Sequence, residues 1–156
     1  MPRPALTLCF ALALGLPVAA AEWVQFRGGS GDGHADAAKL PTEWDKTKNV
    51  AWRAELPGNG WSSPVAAGGK VYLTTAVPGE AKGDYSLRAL CLDAKTGKTL
   101  WDVEVFKEDG KTAPPIHSKN SHASPTPVLD GGFLYVHFGH MGSACLKAAD
   151  GSKVWT

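Results

Sequence analysis

The chain is poor in the features that mark most enzymes and membrane proteins. Beyond residue 21 it has no apolar run long enough for a bilayer, and no long helical pattern uninterrupted by Gly or Pro. It has three cysteines, none adjacent to another. No zinc-ligand spacing, phosphate-cradling Gly loop or nucleophile elbow occurs, and no spacing joins Asp, Ser and His into a triad. Charge of one sign is missing too. Without residues 1–21, which contain Arg3, 15 basic residues face 15 acidic ones. That balance excludes a basic stripe for nucleic acid or a basic helix for a lipid surface.

What is present is turn chemistry and aromatic bulk. The 156 residues include 18 Gly, 11 Pro and six Trp. With 44% hydrophobic and 20% charged residues a packed core is available, and the many turns favour an all-β fold. The N-terminus has the form of an export signal. Arg3 precedes the apolar run Leu6–Val18, and Ala19-Ala20-Ala21 offers small residues for cleavage before Glu22. Residues 1–21 are therefore read as a signal peptide cleaved after about Ala21, and the mature chain as periplasmic or otherwise exported. Cleavage removes Cys9 and leaves Cys91 and Cys145 in a disulfide-permissive compartment.

The mature chain repeats itself. Pro64-Val65-Ala66-Ala67-Gly68-Gly69-Lys70-Val71-Tyr72-Leu73 aligns with Pro127-Val128-Leu129-Asp130-Gly131-Gly132-Phe133-Leu134-Tyr135-Val136. Cys91 to Trp101 aligns with Cys145 to Trp155, the first copy carrying extra residues around Pro78 to Asp84. A partial copy, Asn49 to Leu56, puts Trp52 in line with Trp101 and Trp155. Repeats of this period indicate blades of a β-propeller. Each unit reads as four strands; in the first they are Ser62–Ala67, Lys70–Val77, Tyr85–Leu92 and Lys98–Val105. Leu87, Ala89 and Cys91 take one face, and Leu90 and Leu92 the other. Both faces are thus apolar, as a sheet between two neighbours requires. The domain reading is a lead-in over 22–60 with a partial strand around Trp52, a first complete blade over 61–110 and a second, C-terminally truncated blade over 111–156. An indole at one point of each blade fills the wedge between sheets, its N–H seeking a carbonyl of the next blade.

Asp93-x-x-Thr96-Gly97-x-x-x-Trp101 resembles the tryptophan-docking motif of quinoprotein propellers, with Cys91 where the motif has Ala. The second copy keeps Gly151 and Trp155 but has Lys147 and Asp150 at the Asp and Thr positions. Trp23-Val24-Gln25-Phe26-Arg27-Gly28 and Gly31-Asp32-Gly33 are also similar to the start of PQQ-binding-like repeat proteins. The resemblance implies an incomplete propeller of about two four-stranded antiparallel blades. It implies one of two functions. One is a non-catalytic binding or scaffold module, as in the scaffold lipoprotein of outer-membrane β-barrel assembly, whose partners are proteins. The other is the N-terminal part of an alcohol or sugar dehydrogenase using PQQ and Ca²⁺, with its catalytic residues in further blades. No vicinal Cys pair and no Glu/Asn/Asp set for Ca²⁺ maps from those enzymes, so the scaffold reading leads.

Other candidates are few. His117, His122, His137 and His140 fall in or beside loops that gather at one mouth of a propeller, where imidazoles suit a transition metal. Their spacing matches no ligand signature, and polar loop packing is the favoured role. Residues 28–36 hold Gly and Asp but not at calcium-loop spacing. Cys91 and Cys145 hold equivalent places on sheets about 10 Å apart, too far for a bridge, so separate buried thiols are expected. A propeller closes with four to eight blades. Two blades indicate the beginning of a longer protein, or short chains assembled into a ring.

Overall fold

The computed structural model describes residues 22–35 and 40–156; residues 1–21, read above as a signal peptide, and Cys9 with them lie outside the described residues. Two antiparallel four-stranded sheets follow one another along the chain. The first comprises β1 (Val65–Ala67), β2 (Lys70–Pro78), β3 (Tyr85–Asp93) and β4 (Thr99–Glu108). The second comprises β5 (Val128–Asp130), β6 (Phe133–His137), β7 (Ser143–Lys147) and β8 (Lys153–Trp155). Both are simple meanders, and the only helical turn among the described residues is a 3₁₀ turn at Gly139–Met141. Gly68-Gly69 and Gly131-Gly132 make the first hairpin of each sheet, as expected of Gly pairs between β-rich runs.

The strands differ from the sequence reading at their ends, for identifiable reasons. β1 starts at Val65 rather than Ser62. The Ser62 amide donates to Ala123 O at 3.2 Å and the Ser63 amide to Thr126 Oγ1 at 3.0 Å. Pro64 has no amide to offer. The backbone amides of this stretch are therefore bonded to the loop before the second sheet, while the Ser62 hydroxyl reaches β2, accepting from the Thr74 amide at 3.2 Å and donating to Thr74 O at 3.3 Å. β4 runs on to Glu108, paired with Tyr85, because bulges let it follow β3 to its start. No strand forms around Trp52: residues 50–56 make no backbone hydrogen bond among the described residues. A single segment with no neighbouring strand has nothing to ladder with.

A bulge recurs at the same place in both sheets. Cys91 pairs with Trp101 but Leu92 with Thr99, leaving Leu100 unpaired. Cys145 pairs with Trp155 but Leu146 with Lys153, leaving Val154 unpaired. The extra residue twists the outer strand and sets which face the Trp occupies.

The core lies between the sheets. Val65, Tyr72, Leu87, Ala89 and Cys91 of the first pack with Leu134, Val136 and Leu146 of the second. Each buried Leu or Val contributes about 1.5–3 kcal/mol. Leu90 and Leu92, on the reverse face of β3, are buried as well. The N-terminal strap joins the sheets: Trp23 bridges Ala66, and Val24 O accepts the Leu129 amide at 2.8 Å.

Candidate functional site

Two sites emerge, at opposite ends of β3 and β4. At the first, a tight turn leads into β4. The Gly97 amide donates to Asp93 O at 2.8 Å, and the Asp93 amide to Lys98 O at 2.8 Å. Asp93 Oδ1 accepts from the Thr96 hydroxyl and amide, both at 2.7 Å, and from the Lys95 amide at 3.1 Å. The Thr96 hydroxyl, then its amide, holds the Asp93 carboxyl below the usual carboxylate range. The second turn repeats the backbone pattern, Gly151 to Lys147 O at 2.8 Å and Lys147 to Ser152 O at 2.9 Å. Lys147 cannot accept there, and Asp150 caps the Ser152 amide at 2.9 Å instead.

Each turn seats an indole from the preceding unit. Trp52 Nε1 donates to Ala94 O at 2.8 Å, and a Cβ on Gly97 would fall 2.5 Å from the Trp52 ring. Trp101 Nε1 donates to Ala148 O at 3.2 Å, and a Cβ on Gly151 would fall 2.9 Å from the Trp101 ring. Gly97 and Gly151 have φ of +72° and +76°, the left-handed region where glycine is unstrained. Glycine is needed twice over, for the turn and for the ring lying on it. Tyr72 joins the second seat, its hydroxyl donating to the same Ala148 O at 3.3 Å and its ring 5.9 Å from that of Trp101. Burial pushes the Tyr72 phenol up to about 12. The Cys91 thiol between them is also raised by burial. Cys91 and Cys145 are both buried and unbridged.

The second site is at the far end of β4. The Glu108 side chain is 1% exposed and lies between two imidazoles. Its Oε2 is 3.2 Å from His122 Nδ1, and its Oε1 is 2.7 Å from His140 Nε2. Neither contact has hydrogen-bond alignment, so these are close contacts without directed bonds. Tyr85 stacks on His122 with ring centroids 4.3 Å apart. A cavity of about 440 Å³ opens beside them, lined by Asn59, Trp61, Tyr85, Asn120, Ser121 and His122.

Of the four imidazoles singled out in the sequence, His122 and His140 meet at Glu108. The other two stand apart: His117 Nδ1 accepts the Lys119 amide at 3.1 Å, and His137 Nδ1 lies 3.0 Å from Ser143 Oγ. Among the described residues no three His, Cys, Asp or Glu side chains are placed to hold a metal ion. No hydroxyl or thiol is hydrogen-bonded to His122 or His140 among those residues, so no activated nucleophile is formed there. The sequence reading passed over Glu108 and Tyr85, which carry no spacing signal; only the hairpin pairing of Tyr85 with Glu108 brings them together. It also passed over Tyr72, although the matching Tyr135 in the second copy marks it.

No described helix is long and apolar enough to cross a membrane. Residues 33–156 match the family model described as outer membrane protein assembly factor BamB. No curated protein matches the chain.

Proposed function

The chain belongs to the outer membrane protein assembly factor BamB family, whose model spans residues 33–156, and from that premise we propose that it is a non-catalytic binding or scaffold module of β-propeller type. The observation that carries the reading is the repeated Trp-on-turn contact. Trp52 on Ala94 and Gly97, and Trp101 on Ala148 and Gly151, use one geometry to stack successive units face to face. In this reading the two sheets are blades, and Asp93, Thr96, Gly97 and Trp101, with Gly151 and Trp155, are blade-docking residues. The lead-in over 22–60 straps the first blade, and the second occupies 111–156. Such a stack presents loops and sheet faces to protein partners.

Export to the periplasm is part of the proposal, supported by the signal-like residues 1–21. The name of the family points to the machinery that assembles outer-membrane proteins as the partner class. The Glu108 cluster fits a structural role, tying the loop before β5 and the 3₁₀ turn to the end of β4.

The test is a binding measurement with the purified protein on a sensor surface. Saturable binding of a purified outer-membrane-protein assembly complex is the expected result. Calcium-dependent, saturable uptake of PQQ followed by alcohol or sugar oxidation with an artificial acceptor would overturn the reading in favour of a dehydrogenase. Absence of binding to the assembly complex would remove the partner class.

A further inference from the structure

Two cavities of about 440 and 250 Å³ lie side by side at the Tyr85 end of β3. They share Ile116, Asn120, Ser121 and His122. No Lys, Arg, Asp or Glu side chain lines either one. A phosphate, a carboxylate or an amine therefore finds none of the charged partners it pairs with best. The walls of the larger cavity offer the carboxamides of Asn59 and Asn120, serine hydroxyls, the His122 imidazole, and the rings of Trp61 and Tyr85. No residue of β7 or β8 lines either cavity, so these walls do not depend on what lies beside the last strand.

The backbone builds these walls. Asn59 is bridged to Ala76, amide to carbonyl in both directions at 2.9 Å. A Cβ on Gly60 would fall 2.6 Å from Thr74 O, and one on Gly58 would strike Ala76 O. The two bare glycines thus let residues 58–60 lie directly on β2. Side chains of an extended segment alternate, so Asn59 and Trp61 take the cavity side. The facing wall is tied to this one, the Trp61 and Ser62 amides both donating to Ala123 O, at 3.1 and 3.2 Å. Within that wall the Ser124 hydroxyl closes the loop, 2.9 Å from both the amide and the carbonyl of Ser121. The Asn59 and Asn120 carboxamides take no part in these bonds. The His122 ring is held by Tyr85, with centroids 4.3 Å apart, and its Nδ1 stands 3.2 Å from Glu108 Oε2. That leaves Nε2 to a ligand.

We infer that these cavities form a binding site for an uncharged carbohydrate, a mono- or disaccharide or the end of a longer glycan. A hydroxyl both donates and accepts hydrogen bonds. Carboxamides, serine hydroxyls and an imidazole offer both roles, so a ring of hydroxyls matches this set without any ion pair. The C–H face of a sugar ring is apolar and packs on the flat of an indole or phenol ring, which Trp61 and Tyr85 supply. The volume falls in the range of small-molecule sites. Glu108 positions the His122 ring and does not meet the ligand, its side chain being 1% exposed. The site needs neither quinone nor calcium. It is also separate from the binding of an assembly complex proposed above, so either can fail alone.

The experiment is a titration of the purified, isotope-labelled protein with glucose, N-acetylglucosamine and maltose, followed by NMR and Trp fluorescence, with no PQQ or calcium added. At least one of these sugars should give saturable shifts at Asn59, Asn120 and His122, with a dissociation constant at or below about 10 mM. Asn59→Ala and Asn120→Ala should each weaken binding about fivefold, as loss of one hydrogen bond does. Trp61→Ala should weaken it about tenfold, and Trp61→Phe, which keeps a ring, by less. Lys119→Ala changes a neighbour outside the lining and should leave the affinity unchanged. Circular dichroism checks that each variant is folded. No saturable response to any of the three sugars overturns the proposal. So does a response that the Asn59 and Asn120 variants leave unchanged, or one that requires PQQ and calcium.

Discussion

Gly151→Ala tests the seat most directly, because Gly131→Ala provides a matched control. Both glycines have left-handed backbone, φ +76° and +55°. An added methyl at Gly131 meets nothing within 4 Å. Its cost is therefore the left-handed strain of an L residue, about 1–2 kcal/mol. At Gly151 the same strain applies, and the methyl also meets Trp101 Cε3 at 2.9 Å and Val103 Cγ1 at 3.0 Å. These are ring and side-chain atoms held by the packing between sheets. Relief needs the indole to shift, which weakens its bond to Ala148 O by about 1 kcal/mol and forces repacking worth about 1–3 kcal/mol. Gly151→Ala should thus be about 2–4 kcal/mol less stable than Gly131→Ala. Urea unfolding followed by Trp fluorescence reads this as an excess midpoint shift of about 1–2 M. In a Trp101→Ala background most of the excess should vanish, since the clashing ring is gone and only the Val103 contact at 3.0 Å is left of the contacts named here. Equal shifts for the two Gly variants, or an excess undiminished by loss of Trp101, would refute the reasoning.

The other predictions concern the groups around the seats. Tyr72 should ionise near pH 12 in an ultraviolet titration, and Tyr72→Phe should delete that late step while costing about 1 kcal/mol for the lost bond to Ala148 O. Because the folded state holds this proton more tightly than the unfolded one, stability should fall as pH rises above about 10, the ordinary tyrosine value. The sign is opposite at Asp93, whose folded carboxyl titrates below its ordinary value. Its contribution is present above about pH 4 and lost as pH falls through the lowered value. The Thr96 amide resonance should report that step, and Asp93→Asn should abolish it. Thiol reagents should modify Cys91 and Cys145 in residues 22–156 at the rate of unfolding, since both are buried; modification within seconds under native conditions would contradict their placement.

Much of the architecture was legible in the residues because a repeat constrains itself. Two copies of a Gly-Gly hairpin and two copies of a Cys-to-Trp segment leave little freedom in where strands and turns fall. Strand ends were less legible. Ser62 and Ser63 read as strand, but their amides go to Ala123 and Thr126, partners 61 and 63 positions on. No local pattern encodes so distant a competition for a donor. The segment around Trp52 carries the marker of a unit without the neighbouring strands that would make it one. The four histidines were indistinguishable by spacing, and only the loops that fold over Glu108 separate His122 and His140 from His117 and His137.

By itself the sequence determined that this chain is a β repeat protein with a Trp, a Cys and a Gly turn at fixed places in each unit. Those are local properties, set by turn chemistry and by the alternation of side chains along a strand. The direction of docking was decided only in three dimensions. Trp101, beside a bulge in β4, sits on Gly151 of the following sheet and not on Gly97 of its own turn. The strand register sets Val65, Tyr72, Cys91 and Trp101 in one row across the first sheet, and Val128, Tyr135, Cys145 and Trp155 in one row across the second. Tertiary packing likewise made these two identical rows different, burying Val65 and Tyr72 of the first row between the sheets. The sequence writes the same row twice; packing against a neighbouring sheet is what makes the first copy core.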